Sequence, residues 1–172
     1  MDGGNGTGSK LNMVFSIIMA QQFHPEASLS RVINPDSAGK ERTYLTRGIV
    51  LAIRELAKQS EPGFESRELA AFIAMSLFVI SKTIDISVAA WEKRDYWVKA
   101  DKFRMEWAWS GQYSERMKQA VLKDDWGSVA LVAAQTGQKL SKVTVPPGHR
   151  LGHPWEGAWE KLSKGDLKTL NR

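Results

Sequence analysis

Cysteine is absent from the sequence. Disulfides, thiolate metal sites and cysteine nucleophiles are therefore excluded, which suits a cytoplasmic protein. Histidine is scarce. No histidine lies between His24 and His149, so the Glu-x-x-His pairs that hold di-iron centres in helical bundles cannot form. The Gly-x-Ser-x-Gly turn of serine hydrolases is also missing. Long apolar runs are wanting. The longest, Leu69 to Ile80, is interrupted by Ser76 and is too short to span a bilayer. Met13 to Ala20 has the apolarity of an export signal. However, Asp2 and Lys10 cancel ahead of it and no small-residue cleavage site follows. Neither export nor a membrane partner is expected.

The most telling absence is of glycine and proline from Phe64 through Ser110. These two residues are the strongest local breakers of regular structure, and strands would need turn chemistry every few residues. The stretch is instead rich in Ala, Leu, Glu, Lys, Arg and Met, which sustain helices. It predicts an all-α protein. A single helix over this span would run roughly 70 Å at about 1.5 Å per residue, too long for one domain of this size. The apolar seam Leu69, Ile73, Leu77, Ile80, Ile84, Val88, Trp91 also slips out of phase with the next one. That second seam is Tyr96, Ala100, Phe103, Trp107, Ser114, Met117, Val121. Two helices joined between Thr83 and Asp95 are expected, with one long bent helix as the alternative. The β-branched, polar run Thr83 to Val88 is the weakest helix in that region.

What is present completes a bundle of four main helices with short flanking N- and C-terminal helical segments. Residues 1–10 are Gly-rich and read as a disordered leader. They are not a phosphate loop, because Ser9 precedes Lys10 and no strand precedes the glycines. Residues 11–145 form the bundle, opening with a short segment from Leu11 to Phe23. Asn34-Pro35 starts the first main helix, with Leu45, Ile49, Ala52, Ile53 and Leu56 on one face. Glu61-Pro62-Gly63 ends it. Ser66 caps the next helix, with Glu68 in its first turn. Asp124 or Asp125 caps the fourth. Residues 146–172 are a Pro/Gly loop and a short helix holding Trp159, Leu162, Leu167 and Leu170, packed on the bundle.

Net charge is +5. Residues 1–95 balance at eleven basic and eleven acidic residues. Residues 96–172 carry thirteen against eight, which is the whole excess. The richest constellation lies at this boundary. Trp91, Tyr96, Trp97, Phe103, Trp107 and Trp109 interleave with Lys93, Arg94, Lys99, Lys102 and Arg104. Such mixtures anchor protein interfaces, and they also stack bases and pair phosphates. In the plainest reading the rings are core and the cations are solvated. Glu92, Asp95, Asp101 and Glu106 dilute the polyanion case. The candidate binding surface is Lys93, Arg94, Trp97, Lys99, Lys102, Arg104 and Trp109. Trp107 is expected in the core and Trp109 outside, because two residues turn a helix by about 200°.

Two further clusters carry titratable groups. His149, His153 and Glu156 offer three metal ligands, but among Pro146, Pro147, Gly148, Gly152 and Pro154 they read as a surface loop held down by Trp155. Lys82 and Asp85 flank the Leu69–Trp91 seam and read as a structural pair. No metal or cofactor is implied. The leading functional expectation is a non-enzymatic interaction module, bound to a protein partner or to a second copy of itself. Nucleic-acid binding through Lys93, Arg94, Lys99, Lys102 and Arg104 is the alternative. A small enzyme using Asp85, Glu92 or the His149/His153 loop is the third.

Overall fold

A computed structural model describes residues 35–167 and Leu170. The readings of residues 1–34, including the leader and the Asn34 cap, lie outside these. Among the described residues every regular element is an α-helix and none is a strand. The helices are α1 (Pro35–Leu56), α2 (Phe64–Glu92), α3 (Trp97–Trp107), α4 (Trp109–Leu122), α5 (Trp126–Lys139) and α6 (Ala158–Ser163). Only Ala108, itself near helical angles, separates α3 from α4, so the two form one arm. The four main helical segments of the bundle are therefore α1, α2, the α3–α4 arm and α5.

Helix α2 is the axis on which the others are built. Both α1 and α4 pack along it, with α3 and α6 on its remaining surface. The side-chain bonds Arg42 to Thr83 and Ser114 to the Ala74 carbonyl tie α1 and α4 to it. Leu69 through Leu77 are all buried, without a solvated stripe, as befits a helix covered all round. The whole helix is long and apolar enough to cross a membrane by length and composition, although two thirds of its most apolar window is buried inside the bundle. That corrects the reading of its apolar run as too short: the run belongs to a 29-residue helix. The expected seam from Leu69 to Val88 is buried, and Trp91 at its end is half-buried.

The Thr83–Val88 run does not break the helix. Thr83 donates its hydroxyl to the Ile80 carbonyl at 2.7 Å and Ser87 donates to that of Thr83 at 2.9 Å. Their polar atoms are thus satisfied within the helix. The break falls ten residues after Thr83, at Lys93, Arg94 and Asp95. Asp95 is left-handed, with φ of 60°. The Tyr96 N–H reaches back to the Trp91 carbonyl and that of Asp95 to Glu92, both at 3.0 Å. This is the Schellman end that glycine usually makes. Asp124, φ 53°, closes α4 in the same way. Aspartate visits this conformation because its short polar side chain tolerates it.

The start of α2 differs from expectation. Gly63 is the N-cap, and Ser66 sits inside the first turn with its hydroxyl accepting the Gly63 N–H at 3.2 Å. That register shift moves Glu68 into the interior, where its carboxylate accepts the Trp159 N–H at 3.0 Å and ties down α6. Asp125 caps α5 as expected, accepting from the Ser128 N–H at 3.0 Å. Helix α6 stops at Ser163, short of Leu167, because Gly165 turns left-handed at φ 80°.

Candidate functional site

The aromatic residues at the α2–α3–α4 corner form one continuous row. Trp91 meets Phe103 edge-on at 4.9 Å between ring centroids, and Phe103 meets Trp107 at 6.4 Å. Trp107 stacks on Trp109 at 5.8 Å, and Trp109 meets Tyr113 at 5.3 Å. All five rings are half-buried. Cations cover the row. The Lys99 ammonium lies 4.4 Å from the Trp91 centroid, Arg42 4.9 Å from Phe103, and Arg116 5.7 Å from Tyr113. Each lies within the range where a ring face attracts a cation.

This row overturns the separation expected of Trp107 and Trp109. Trp107 is not fully buried, and the two rings stack rather than diverge. The 200° argument presumed one unbroken helix. Trp107 ends α3 and Trp109 begins α4, and across this interruption the two rings stack.

The other expected surface residues divide by their partners. Arg104 is taken up by Glu92 and Asp101, which it pairs with through separate nitrogens. The hydrogen bond to Glu92 is the largest of the effects that raise its pKa. Lys99 is held over Trp91. Trp109 is in the row. Lys93, Arg94, Trp97 and Lys102 remain exposed. Tyr96, expected in the second seam, is 57% exposed because the Schellman turn carries it off the end of the helix.

The outer face of α3 holds residues that sequence reasoning passed over. Ala100, Phe103 and Trp107 define the inner side. Val98 and Met105 lie on the opposite side at a spacing of seven, with exposures of 85% and 72%. Asp101 and Lys102 sit between them, both exposed, and Trp97 flanks the face. The signal was available in the phase: an inner seam at 100, 103 and 107 puts 98 and 105 outside.

Among the described residues, the remaining clusters each have local partners. Asp85 pairs with Lys82 at 3.6 Å on the surface, with both side chains well exposed. Glu92 belongs to Arg104. The His153 ring packs edge-on against Trp155 at 5.2 Å, and His149 Nδ1 accepts the Leu151 N–H. Trp155 is buried against Phe72, which anchors this loop. Among the described residues no three His, Asp or Glu side chains are grouped to hold a metal ion, so the His149, His153 and Glu156 set is not brought together. Comparison with known proteins gives no match to any protein family, curated protein or solved structure.

Proposed function

We propose that this chain is a non-enzymatic, cytoplasmic helical module that pairs with a second copy of itself through the outer face of α3. The observation that carries the reading is the exposure of Val98 and Met105 at the centre of a helix face, where water-facing residues are ordinarily polar.

The order of residues favours a twofold partner. Laid antiparallel on itself about a point between Asp101 and Lys102, the face sets Val98 against Met105 of the second copy. The same register sets Asp101, which pairs with Arg104 through one carboxylate oxygen and can offer the other, against Lys102, and each contact is repeated by symmetry. Isologous pairing needs such a self-complementary strip, and opposite charges at its centre fix register and direction. Trp97 at the flank supplies an aromatic anchor of the kind interfaces favour. The nucleic-acid alternative is weakened at this surface, since Arg104 and Lys99 already have partners.

A face confined to one helix of 11 residues belongs with small interfaces, so the association is weak and concentration-dependent. Sedimentation velocity over roughly tens to hundreds of micromolar is the test. The wild type is expected to shift from monomer to dimer. Val98→Asp is expected to stay monomeric with unchanged helicity, since Val98 is in water in the single chain. A wild type that remains monomeric throughout, or a Val98→Asp dimer as strong as the wild type, contradicts the reading.

A further inference from the structure

Away from this face, the first half of α1 lines a groove of about 840 Å3, open to solvent, together with Leu151. Its side chains are Lys40, Arg42, Thr43, Tyr44 and Arg47. Residues 40, 43, 44 and 47 recur at helical spacing and share one face. Three cations thus line one groove and no carboxylate does. Lys40 and Arg47 have no ion-pair partner among the described residues.

Arg42 is the unusual member. It is the residue that links this groove to the aromatic row. Its guanidinium gives one hydrogen bond, to Thr83 Oγ1 at 3.4 Å, and lies over Phe103 and Trp107. Thr83 is free to accept, because it donates its own hydrogen to Ile80. Guanidinium has five N–H donors in a planar fork, so four are left without a protein acceptor among the described residues. Ring faces satisfy part of the charge but supply no acceptor atoms. Burial also pushes the Arg42 pKa down, which means the protein leaves this cation short of solvation. An anion in the groove would restore it.

We infer that the α1 groove binds a small ligand carrying two or more linked phosphates. The three cations call for several negative charges close together. From Lys40 to Arg47 is seven residues, about 10 Å along the helix axis, which limits the span to a short chain of phosphates. Phosphate oxygens are acceptors only, matching Lys and Arg groups that are donors only. Tyr44 and Leu151, both half-buried, offer apolar surface to whatever the phosphates are attached to.

The test is calorimetric titration of the full chain with inorganic tripolyphosphate at low salt, with a single-stranded oligonucleotide as a second titrant. Tripolyphosphate is expected to bind, and to bind more weakly as salt rises. Lys40→Gln and Arg47→Gln, both on exposed side chains, are each expected to lower the affinity roughly tenfold with helicity unchanged. Arg42→Gln is expected to lose at least as much, since its fork meets the ligand with two bonds. Lys139→Gln, on an exposed side chain at the end of α5, is expected to bind like the wild type. The inference is overturned by three outcomes. These are no heat with tripolyphosphate, binding that survives Lys40→Gln and Arg47→Gln, and binding of the oligonucleotide alone, which would make the groove a nucleic-acid surface.

Discussion

Gly48 shows how far a single position is set by its neighbour. It lies mid-helix in α1, where glycine is about 1 kcal/mol worse than alanine. A Cβ there would stand 2.9 Å from the tip of the Phe72 ring. That ring is fully buried and wedged against Trp155 at 6.5 Å between centroids, so it has nowhere to go. Overpacking of this kind costs about 1–3 kcal/mol, enough to cancel the helical gain. Gly48→Ala is therefore expected to lower the melting temperature. Gly39, in the same helix, meets nothing within 4 Å of an added Cβ. Gly39→Ala is expected to raise the melting temperature, by up to about 1 kcal/mol of added stability. Thermal melts followed by circular dichroism check both. Equal and opposite reasoning applies to Asp95 and Asp124. Their left-handed φ values end two helices without the glycine that sequence reading looks for. Aspartate is only an occasional visitor to that conformation, so neither residue stood out as a stop. The Asp125 cap was legible because a side chain accepting from the third residue along is a strong and local signal.

At the scale of elements, the seams of α1 and α2 were readable since each sits on an unbroken helix and follows its 3.6-residue period. The α3–α4 arm was not. Its interruption at Ala108 carries no glycine or proline, and the backbone there keeps near-helical angles, so nothing in the sequence marked it. The consequence reaches the candidate site. Trp107 and Trp109, expected on opposite sides, share one stack. Each is half-buried, so Trp107→Ala and Trp109→Ala are expected to cost similar amounts, about 2–3 kcal/mol, below the usual range for a fully buried ring. Because the rings touch, the double variant is expected to lose less than the sum, with a coupling of about 0.5–1.5 kcal/mol. Urea melts of the two single variants and the double variant measure this. A Trp107→Ala loss several times that of Trp109→Ala, with no coupling, would restore the separation that the helical phase alone suggests.

For the molecule as a whole, the class followed from one 47-residue breaker-free stretch, Phe64 to Ser110, whereas the seam of α2 pointed to one apolar face and the structure buries Leu69 through Leu77 all round. The site was legible only in part. Composition pointed to the corner where Trp97, Lys93, Arg94 and Lys102 are exposed. It could not tell which cations were already committed, because the Arg104 partners come from two helices. It also favoured the rings over Val98 and Met105, which carry the proposed pairing. The α1 groove escaped notice because its charges lie in the half of the sequence whose net charge is zero, and only folding separates them from that half's carboxylates.

The twofold pairing of α3 makes a demand that no other role for these residues makes. Asp101 must face Lys102 of the second copy. Reversing one charge sets like against like, and reversing both restores the complement. Sedimentation velocity on Asp101→Lys, Lys102→Asp and the double variant tests this most directly. Each single variant is expected to be monomeric at concentrations where the wild type dimerises, and the double variant is expected to dimerise again. Loss of the dimer in all three, or its survival in either single variant, would contradict the account.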